Sequence, residues 1–431
     1  MDSNIRKKII VVGQAEVTST VGGAITVFIN FCNMLTKNDY DVYGVCYNSI
    51  LGQPKNLFEN VKFSNLYEEY NKIDYSKAMN RKMEEVQPDL IVFFFDFLCR
   101  DAKLSDKFND IPRILMFHSR PDFYFSNNPS RENKLKKYYI NTTSQILFDS
   151  YQQLLPDFIK KNNVITIPNG IELQNEIIDT SIEHKKIIYL SRIDCWKGLE
   201  LLINSFNLIA NKYKDWSVDI YGQFQPPEYK DNLVKLVETK GLSNQIYFKG
   251  ITSNPVQTML NYDFCIFPSY FEGFPMGLIE SQSVGLPCVG LKGCSGVNEL
   301  IIDEKNGFLA DETYEDIASK IEKLILDKNL RTEFSKNTII EVQKYDKEKI
   351  NKKWLDVINL ILNGKNICSD YTKVAQNKYT LFSIEKILKM SSNEKPKMKW
   401  YHYIFSVKNS MQSGVKRKTI YILGIKITLK R

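Results

Sequence analysis

The sequence predicts an α/β protein made of two doubly wound, Rossmann-like domains that face each other, followed by a basic C-terminal tail. Short apolar runs alternate with amphipathic stretches along most of the 431 residues. The alternation stops at Pro168-Asn169-Gly170 and then restarts, because KKIIYL at 185–190 echoes KKIIVV at 7–12. Alternating strands and helices build parallel sheets with helices on both faces. We therefore assign residues 1–170 to one domain, 171–364 to a second and 365–431 to the tail.

The first domain opens with a unit of strand, loop, helix and strand. A polar loop that contains Gly22 and Gly23 separates the strand at 7–12 from a helix predicted over 24–35. Glycines at a helix start are typical of a phosphate-facing loop, although the spacing is not G-x-G-x-x-G. Further strands are predicted at 41–47, 90–97, 113–117, 144–148 and 164–167, with a helix at 75–86.

The second domain repeats this order. Strands are predicted at 185–190, 216–221, 246–248, 264–267, from 288 onward and at 307–309. Helices are predicted at 199–210, 229–239, 255–260, 276–284, 314–327 and 347–362. A further short helix is predicted to follow a turn at 293–296 and to end at 302. The helix at 347–362 is expected to pack back toward the first domain.

Ligands of doubly wound sheets bind beyond the C-terminal ends of the strands. At those ends the sequence has Gly13, His118, Asn169, Arg192, Gly222 and Glu272. Because two such sheets are predicted, we expect the site to lie in the cleft between the domains.

Composition is that of a soluble globular protein, with 43% apolar and 25% charged residues. No apolar run is long enough to span a bilayer, and the N-terminus lacks the apolar core of a signal peptide. The eight cysteines are scattered, without a C-x-x-C pair, so we expect reduced, buried thiols. With three histidines in the chain, a histidine-based metal site is not expected.

The positive charge is concentrated in the tail. Residues 365–431 contain 15 Lys and Arg against 3 Asp and Glu, whereas the rest of the chain has 43 basic and 47 acidic residues. A basic tail on a mildly acidic body is typical of docking to an anionic surface rather than of nucleic-acid binding. The segment 395–403 mixes cations with Trp400 and other aromatics, as at a membrane interface, and 419–429 alternates like a β-strand. A disordered or packing appendage is the alternative.

The stretch FPSYFEGFPMGLIESQSVGLPCVGL at 267–291 carries two carboxylates on a strand, glycine loop and helix. Glu272 lies on the loop and Glu280 lies near the helix start. A helix start favours an anionic or polyhydroxylated ligand, and carboxylates accept hydrogen bonds from sugar hydroxyls or act as acids and bases. A solvated glutamate at a helix start is the alternative.

Three further positions have side chains suited to a ligand. Arg192 and Lys197 lie in SRIDCWKG, between a strand and a helix, and suit a diphosphate; a surface loop with two cations is the alternative. His118 ends a strand and could hydrogen-bond a hydroxyl group, or it could be structural. The D-x-D pattern at Asp39 and Asp41 resembles a metal motif, but its position between helix and strand favours a solvated turn.

Four segments in order, YLSRIDCWKG, IYGQ, FPSYFEGFPMGLIESQSVGLPCVG and NELIIDEKNGFLA, resemble family 4 retaining glycosyltransferases (glycosyl transferases group 1) with the GT-B fold. The resemblance is densest over 164–310, weaker over 1–163, where Gly22, Gly23 and His118 fit, and does not cover the tail. It implies a nucleotide-sugar donor, UDP- or GDP-linked, and no metal or other cofactor. The N-terminal loop departs from the family. In the family, charged residues often follow the two glycines, whereas here Ala and Ile follow them.

The resemblance also implies roles. Arg192 and Lys197 would bind the diphosphate, Glu272 the donor sugar, Glu280 the ribose and His118 the sugar or acceptor hydroxyl. Gly22 and Gly23 would allow close approach to phosphate, and Gly222 lies in the IYGQ segment. The remaining contacts would come from backbone N–H groups at Phe274, Pro275, Met276, Gly277 and Leu278.

We expect a cytoplasmic, retaining, metal-independent glycosyltransferase of the hexosyltransferase type. Its acceptor would be a glycan or lipid-linked glycan in cell-surface polysaccharide or lipopolysaccharide synthesis, with the tail on the inner face of the membrane. A GT-B sugar phosphorylase or a nucleotide-sugar epimerase is an alternative. From another class, a non-catalytic carbohydrate- or nucleotide-binding protein is a second alternative.

Overall fold

The computed structural model describes residues 6–13, 23–47, 58–118, 120, 143–147, 163–365, 367, 381–383, 386, 407–412, 415–422 and 425–430. The chain divides into two compact units. One comprises Met1–Glu172 with Lys344–Asn377, and the other Leu173–Gln343 with Lys378–Arg431. Each unit contains a parallel sheet with helices, so the predicted α/β class with two Rossmann-like domains is confirmed.

The elements of the first unit follow the predicted alternation. Its strands are β1 (Lys8–Gly13), β2 (Asp41–Cys46), β3 (Ser64–Asn65), β4 (Leu90–Phe93), β5 (Arg113–Phe117), β6 (Thr143–Leu147) and β7 (Asn163–Thr166). Its first helices are α1 (Gly23–Lys37), α2 (Leu66–Glu69), α3 (Tyr75–Val86) and α4 (Asp96–Ala102), and Asp106–Phe108 is a 3-10 turn.

The first sheet has its earliest strand near the centre. The described strands are parallel, in the order β3-β2-β1-β4-β5-β6-β7. Ile9 of β1 pairs with Val42 on one side and Leu90 on the other. The β1 residues Ile9 to Val12 are fully buried, which explains why the strand reads as a continuous apolar run rather than an alternating one.

The second unit repeats the same construction. Its strands are β8 (Lys186–Leu190), β9 (Ser217–Tyr221), β10 (Ile246–Gly250), β11 (Phe264–Phe267), β12 (Cys288–Leu291) and β13 (Gly307–Ala310). Its helices are α5 (Leu199–Ile209), α6 (Tyr229–Thr239), α7 (Pro255–Met259), α8 (Met276–Ser283), α9 (Ser295–Leu300), α10 (Tyr314–Leu326) and α11 (Lys328–Val342), and 3-10 turns lie at Cys195–Lys197 and Gln343–Tyr345.

The second sheet contains the switch point of a doubly wound fold. Its strand order is β10-β9-β8-β11-β12-β13, so the chain leaves β8 toward β9 and later returns to its other side with β11. Ile187 of β8 pairs with Phe264 of β11. In open parallel sheets, ligands bind where the connections of two neighbouring strands diverge in this way. This topology places a candidate site at the ends of β8 and β11.

Helix α12 (Lys347–Leu362) belongs to the first unit although it follows the second in sequence. The Trp354 ring lies against Phe31 of α1, with 4.9 Å between ring centroids. The Tyr40 hydroxyl donates a hydrogen bond to Asn359 Oδ1 at 2.8 Å.

One predicted strand was too long, and helices α2, α4 and α11 were not predicted. The strand predicted at 90–97 ends at Phe93, and α4 begins at Asp96. The apolar run extends past the strand because Phe94 packs its ring on Phe28 and Phe31, at centroid distances of 5.2 and 6.0 Å. The Phe94 N–H still donates to the Val12 carbonyl oxygen of β1 at 2.9 Å. Helix α11 was not predicted, because its apolar residues do not concentrate on one face and its buried side chains include Arg331.

The expectation that all thiols are reduced was wrong for one pair. Cys265 and Cys288 are register partners on β11 and β12 and form a disulfide, with Cα atoms 4.8 Å apart. The sequence separates them by 23 positions, so their pairing depends on which strands are neighbours. Among the described residues, the remaining cysteines are free thiols and are buried.

Part of the tail forms a separate antiparallel sheet. Strands β14 (Val407–Gln412), β15 (Val415–Ile422) and β16 (Ile425–Lys430) pair in sequence order. The aromatic segment predicted to suit a membrane interface, 395–403, lies outside the described residues. No helix within the described ranges is both long and apolar enough to cross a membrane.

Candidate active site

Two loops meet at the switch point of the second sheet. The β8 loop (residues 191–198) follows β8, and the β11 loop (residues 268–275) follows β11. Tyr270 N–H donates to the Trp196 carbonyl oxygen at 2.8 Å. Gly198 has a φ of +67°, and a Cβ there would lie 2.0 Å from the Pro268 carbonyl oxygen. Because that position excludes any side chain, the glycine lets the two loops approach closely.

A buried ion pair joins the same two loops. Lys197 Nζ lies 2.6 Å from Glu272 Oε1, and their side chains are 9% and 11% exposed. The sequence suggested both residues as ligands of a donor but did not place them together. A pair this well buried holds each charge in a defined position, so the ammonium and the carboxylate are oriented before any ligand arrives.

A second carboxylate, which sequence reasoning missed, holds the neighbouring cation. Arg192 Nε donates to Asp194 Oδ2 at 2.8 Å, while Asp194 Oδ1 accepts from Trp196 N–H at 3.0 Å. The Arg192 side chain is 52% exposed and Asp194 is buried. Burial opposes the charge of Arg192, but Asp194 and then Glu272 outweigh it and raise the guanidinium pKa. An Asp directly before a tight turn is a capping signal that could have identified this residue.

Glycines allow two further close approaches around β8. Gly222 follows β9 with a φ of +152°, and a Cβ there would lie 1.9 Å from the Ser191 carbonyl oxygen. A Cβ on Gly277, in the first turn of α8, would lie 2.4 Å from the Leu190 carbonyl oxygen. The start of α8 is therefore pressed against the C-terminal end of β8, beside Arg192.

Not every predicted backbone donor at the start of α8 is available. Pro275 has no N–H group, and Leu278 N–H already donates to the Pro275 carbonyl oxygen at 3.1 Å. These two parts of the prediction are therefore wrong. Met276 and Gly277 are the first two residues of α8, where N–H groups have no acceptor within the helix. Phe274 is buried in the β11 loop just before them.

Glu280 lies in the middle of α8 and is partly buried. Burial raises the pKa of its carboxyl to about 7. Within the described part of the chain, its carboxylate has no hydrogen-bonded or ion-paired partner. A partly buried acceptor of this kind is available to hydroxyl groups of a ligand, and its charge depends on pH near neutrality.

His118 lies in the first unit, at the end of β5. Its ring stacks on Phe94 at 4.8 Å and lies 5.0 Å from the Phe95 ring. Burial lowers the pKa of its imidazole to about 3, so the ring is neutral at physiological pH. His118 can therefore offer a hydrogen bond to a ligand but not a positive charge. Gly22 lies outside the described residues, and Gly23 begins α1.

The aspartates of the D-x-D pattern form surface ion pairs, as a solvated turn predicts. Asp39 has a φ of +64° and pairs with Arg6 at 3.0 Å, while Asp41 begins β2 and pairs with Lys62 at 2.7 Å. Among the residues that the structure describes, no group of three or more His, Cys, Asp or Glu is placed to hold a metal ion.

Comparison with known proteins bears on this site directly. Residues 172–340 match the family model of glycosyl transferases group 1. An uncharacterized glycosyltransferase of Haemophilus influenzae is 27% identical over 353 residues, which cover 79% of this chain and 97% of that protein. Poly(ribitol-phosphate) alpha-N-acetylglucosaminyltransferase of Staphylococcus aureus is 26% identical over 308 residues, covering 65% of this chain and 60% of that enzyme.

The fold is also found in solved structures. A crystal structure of a Staphylococcus aureus TarM mutant in complex with fondaparinux, alpha-GlcNAc-glycerol and UDP has a TM-score of 0.69 at 16% sequence identity. The match covers 82% of this chain and 100% of that one. At this identity the likeness concerns the fold.

The two parallel-sheet domains have the GT-B fold, and the family match together with the relatives identifies the chain as a glycosyltransferase. The match of residues 172–340 to the model of glycosyl transferases group 1 confirms the resemblance found in the sequence.

Proposed function

We propose that the chain transfers a hexose from a nucleoside-diphosphate donor, UDP- or GDP-linked, to an acceptor hydroxyl with retention of anomeric configuration and without a metal. The buried Lys197–Glu272 pair, beside the half-exposed Arg192, carries this proposal. It places the Lys197 ammonium 2.6 Å from the Glu272 carboxylate, which can accept hydrogen bonds from sugar hydroxyls, at the switch point of the sheet. A sugar diphosphate needs both kinds of group side by side.

The cations act on the leaving group. When the bond between the anomeric carbon and the phosphate oxygen breaks, negative charge develops on the diphosphate. Arg192 and Lys197 are already held by Asp194 and Glu272, so they stabilise that charge without reorganising. The acceptor oxygen then bonds to the anomeric carbon on the same face, and its proton passes to the departing phosphate oxygen. In this mechanism no protein base is required.

The carboxylates bind the neutral parts of the donor. Glu272 accepts hydrogen bonds from hydroxyl groups of the transferred sugar while it continues to orient Lys197. Glu280 has no hydrogen-bonded or ion-paired partner in the described part of the chain, and it accepts hydrogen bonds from the ribose hydroxyls. Met276 and Gly277 direct N–H groups from the helix start toward the phosphate or sugar.

The remaining predicted residues belong to the first domain. Neutral His118 would hydrogen-bond the donor sugar or the acceptor hydroxyl, and Gly22 and Gly23 would permit close approach to the phosphates. These roles rest on the resemblance.

We place the acceptor among glycans or lipid-linked glycans of cell-surface polysaccharide or lipopolysaccharide. This is supported by the Staphylococcus aureus relative, whose name specifies poly(ribitol-phosphate) as its substrate, and by the UDP and alpha-GlcNAc-glycerol in the TarM complex. The proposed setting is the cytoplasmic side of the membrane.

The basic tail supplies the means of attachment in this proposal. Vesicles with anionic lipid should bind the protein, and binding should weaken as salt is raised, because exposed charges are screened over about 8 Å at physiological ionic strength. Replacing Lys416, Arg417 and Lys418 with Gln should reduce that binding, whereas vesicles of neutral lipid should bind neither protein. Equal binding by both proteins would remove the tail from the proposal.

The central experiment is a panel of UDP- and GDP-sugars, with released nucleotide and thermal stabilisation as readouts. One donor should be hydrolysed slowly by the wild type in the presence of a chelator, and NMR of the first transferred sugar should show the anomer of the donor. An Asp194→Asn variant keeps the cap of the turn but loses the charge that holds Arg192, so it should turn over more slowly. Formation of a sugar phosphate only when inorganic phosphate is added would instead identify a phosphorylase. Donor binding without any turnover would leave a binding protein.

A further inference from the structure

Residues 381–383 and 386 of the tail contact the body of the second unit directly. The Phe382 N–H donates to the Gly293 carbonyl oxygen at 2.9 Å. The Phe382 ring lies 5.7 Å from the Tyr270 ring, centroid to centroid. The Lys386 ammonium pairs with Glu312 and lies 4.6 Å above the Phe382 ring. Phe382 and Lys386 lie outside the region 172–340 that the family model covers, whereas the residues they contact lie within it.

Phe382 occupies a place that the second unit leaves open for it. A Cβ on Gly293 would lie 2.7 Å from the Phe382 ring, closer than side-chain carbons approach one another. Any residue larger than glycine at 293 would therefore displace the ring. The contact between the Phe382 ring and this turn therefore depends on glycine at position 293.

Tyr270 and Gly293, both contacted by Phe382, belong to the segments that hold the buried pair. Tyr270 is 8% exposed, and its N–H holds the β8 loop at the Trp196 carbonyl oxygen, one residue before Lys197. Gly293 precedes Ser295, whose hydroxyl donates to the Glu272 backbone carbonyl oxygen at 2.7 Å. Phe382 thus contacts both segments that fix the backbone on either side of the Lys197–Glu272 pair.

We infer that Phe382 is a positioning residue: it braces Tyr270 and the Gly293 turn, and so holds Lys197 and Glu272 in the geometry that binds the donor. This inference rests on the proposed function. It assigns to the start of the basic tail a structural task separate from membrane attachment. The Lys386–Glu312 pair is secondary, because its side chains are 41% and 23% exposed and such pairs contribute little.

The direct test measures UDP and GDP affinity by calorimetry in the full chain. Phe382→Ala should weaken binding of the preferred nucleotide at least fivefold, Phe382→Tyr should match the wild type, and Lys386→Ala should change it less than twofold. Tyr247→Ala, an exposed aromatic on β10 of the same sheet, is the matched control and should bind normally.

A second measurement reports on positioning independently of catalysis. Hydrogen–deuterium exchange of peptides over 268–275 and 292–300 should be faster in Phe382→Ala than in the wild type and unchanged in Tyr247→Ala. Gly293→Ala should reproduce the loss of affinity by pushing the ring out, and it should add nothing further in the Phe382→Ala background.

The outcomes separate the two proposals. If the wild type binds a nucleotide and Phe382→Ala binds it equally well with unchanged exchange, the positioning role is wrong and the proposed function stands. Additive effects of Gly293→Ala and Phe382→Ala would also overturn it. If the wild type binds neither UDP nor GDP, the proposed function fails, and the positioning role fails with it.

Discussion

Replacement of Lys197 by Met removes one charge from the buried pair and keeps most of the side-chain volume. Glu272 is then left with a side chain only 11% exposed and no cation at 2.6 Å. Removing one partner of a buried pair destabilises a protein by several kcal/mol. Because both side chains keep some exposure to solvent, we expect the lower end of that range, about 3 kcal/mol. For a unit of this size, that corresponds to a fall in Tm of roughly 6–12 °C.

The effect on turnover should exceed the effect on stability. Loss of one fixed group that stabilises a developing oxyanion lowers kcat by about 100- to 1,000-fold. The assay is release of nucleotide from the donor found with the panel, at a temperature where both proteins are folded.

A double variant separates charge from packing. Lys197→Met with Glu272→Gln removes both charges, so it should recover much of the lost stability while turnover stays low. A double variant no more stable than Lys197→Met would refute the account of the buried pair. Turnover of Lys197→Met within tenfold of the wild type would refute its role with the leaving group.

Three further predictions follow from individual residues. Burial gives the Glu280 carboxyl a pKa of about 7, and only its carboxylate form accepts hydrogen bonds from two ribose hydroxyls. The affinity for the preferred nucleotide sugar should therefore weaken by up to about tenfold per pH unit below that value. Calorimetry of Glu280→Gln should show no such pH dependence. Gly198→Ala should lower Tm far more than Gly241→Ala, since both glycines have positive φ but a Cβ at 198 meets the Pro268 carbonyl oxygen and a Cβ at 241 meets nothing within 4 Å; equal shifts would contradict this. His118 must stay uncharged in the folded state, so denaturant titrations should show wild-type stability falling as pH drops below about 6.5, by at most about 1.4 kcal/mol per pH unit, and His118→Gln should fall less steeply.

The sequence by itself determined the architecture and the class of protein. Apolar runs bounded by glycine and proline are local signals, and they located most strands because those strands are buried on both faces. The order of SRIDCWKG and the 267–291 stretch was sufficient to indicate a group 1 glycosyltransferase, as the family match at 172–340 bears out. These local signals failed where an apolar run continues from a strand into the segment that follows it. The run at 90–97 is equally apolar in the strand that ends at Phe93 and in the turn after it.

Only the tertiary structure decided which of these residues act on one another. Lys197 and Glu272 are 75 positions apart, and they meet because β8 and β11 are neighbours although β9 and β10 come between them in sequence. The same strand order joins Cys265 to Cys288, while a fold-back of the tail brings Phe382 to Gly293. Spacing along a chain carries no record of such proximity, because it is set by sheet order and loop packing. The pattern therefore identified cations and carboxylates suited to a sugar diphosphate, and the fold arranged them as oriented pairs.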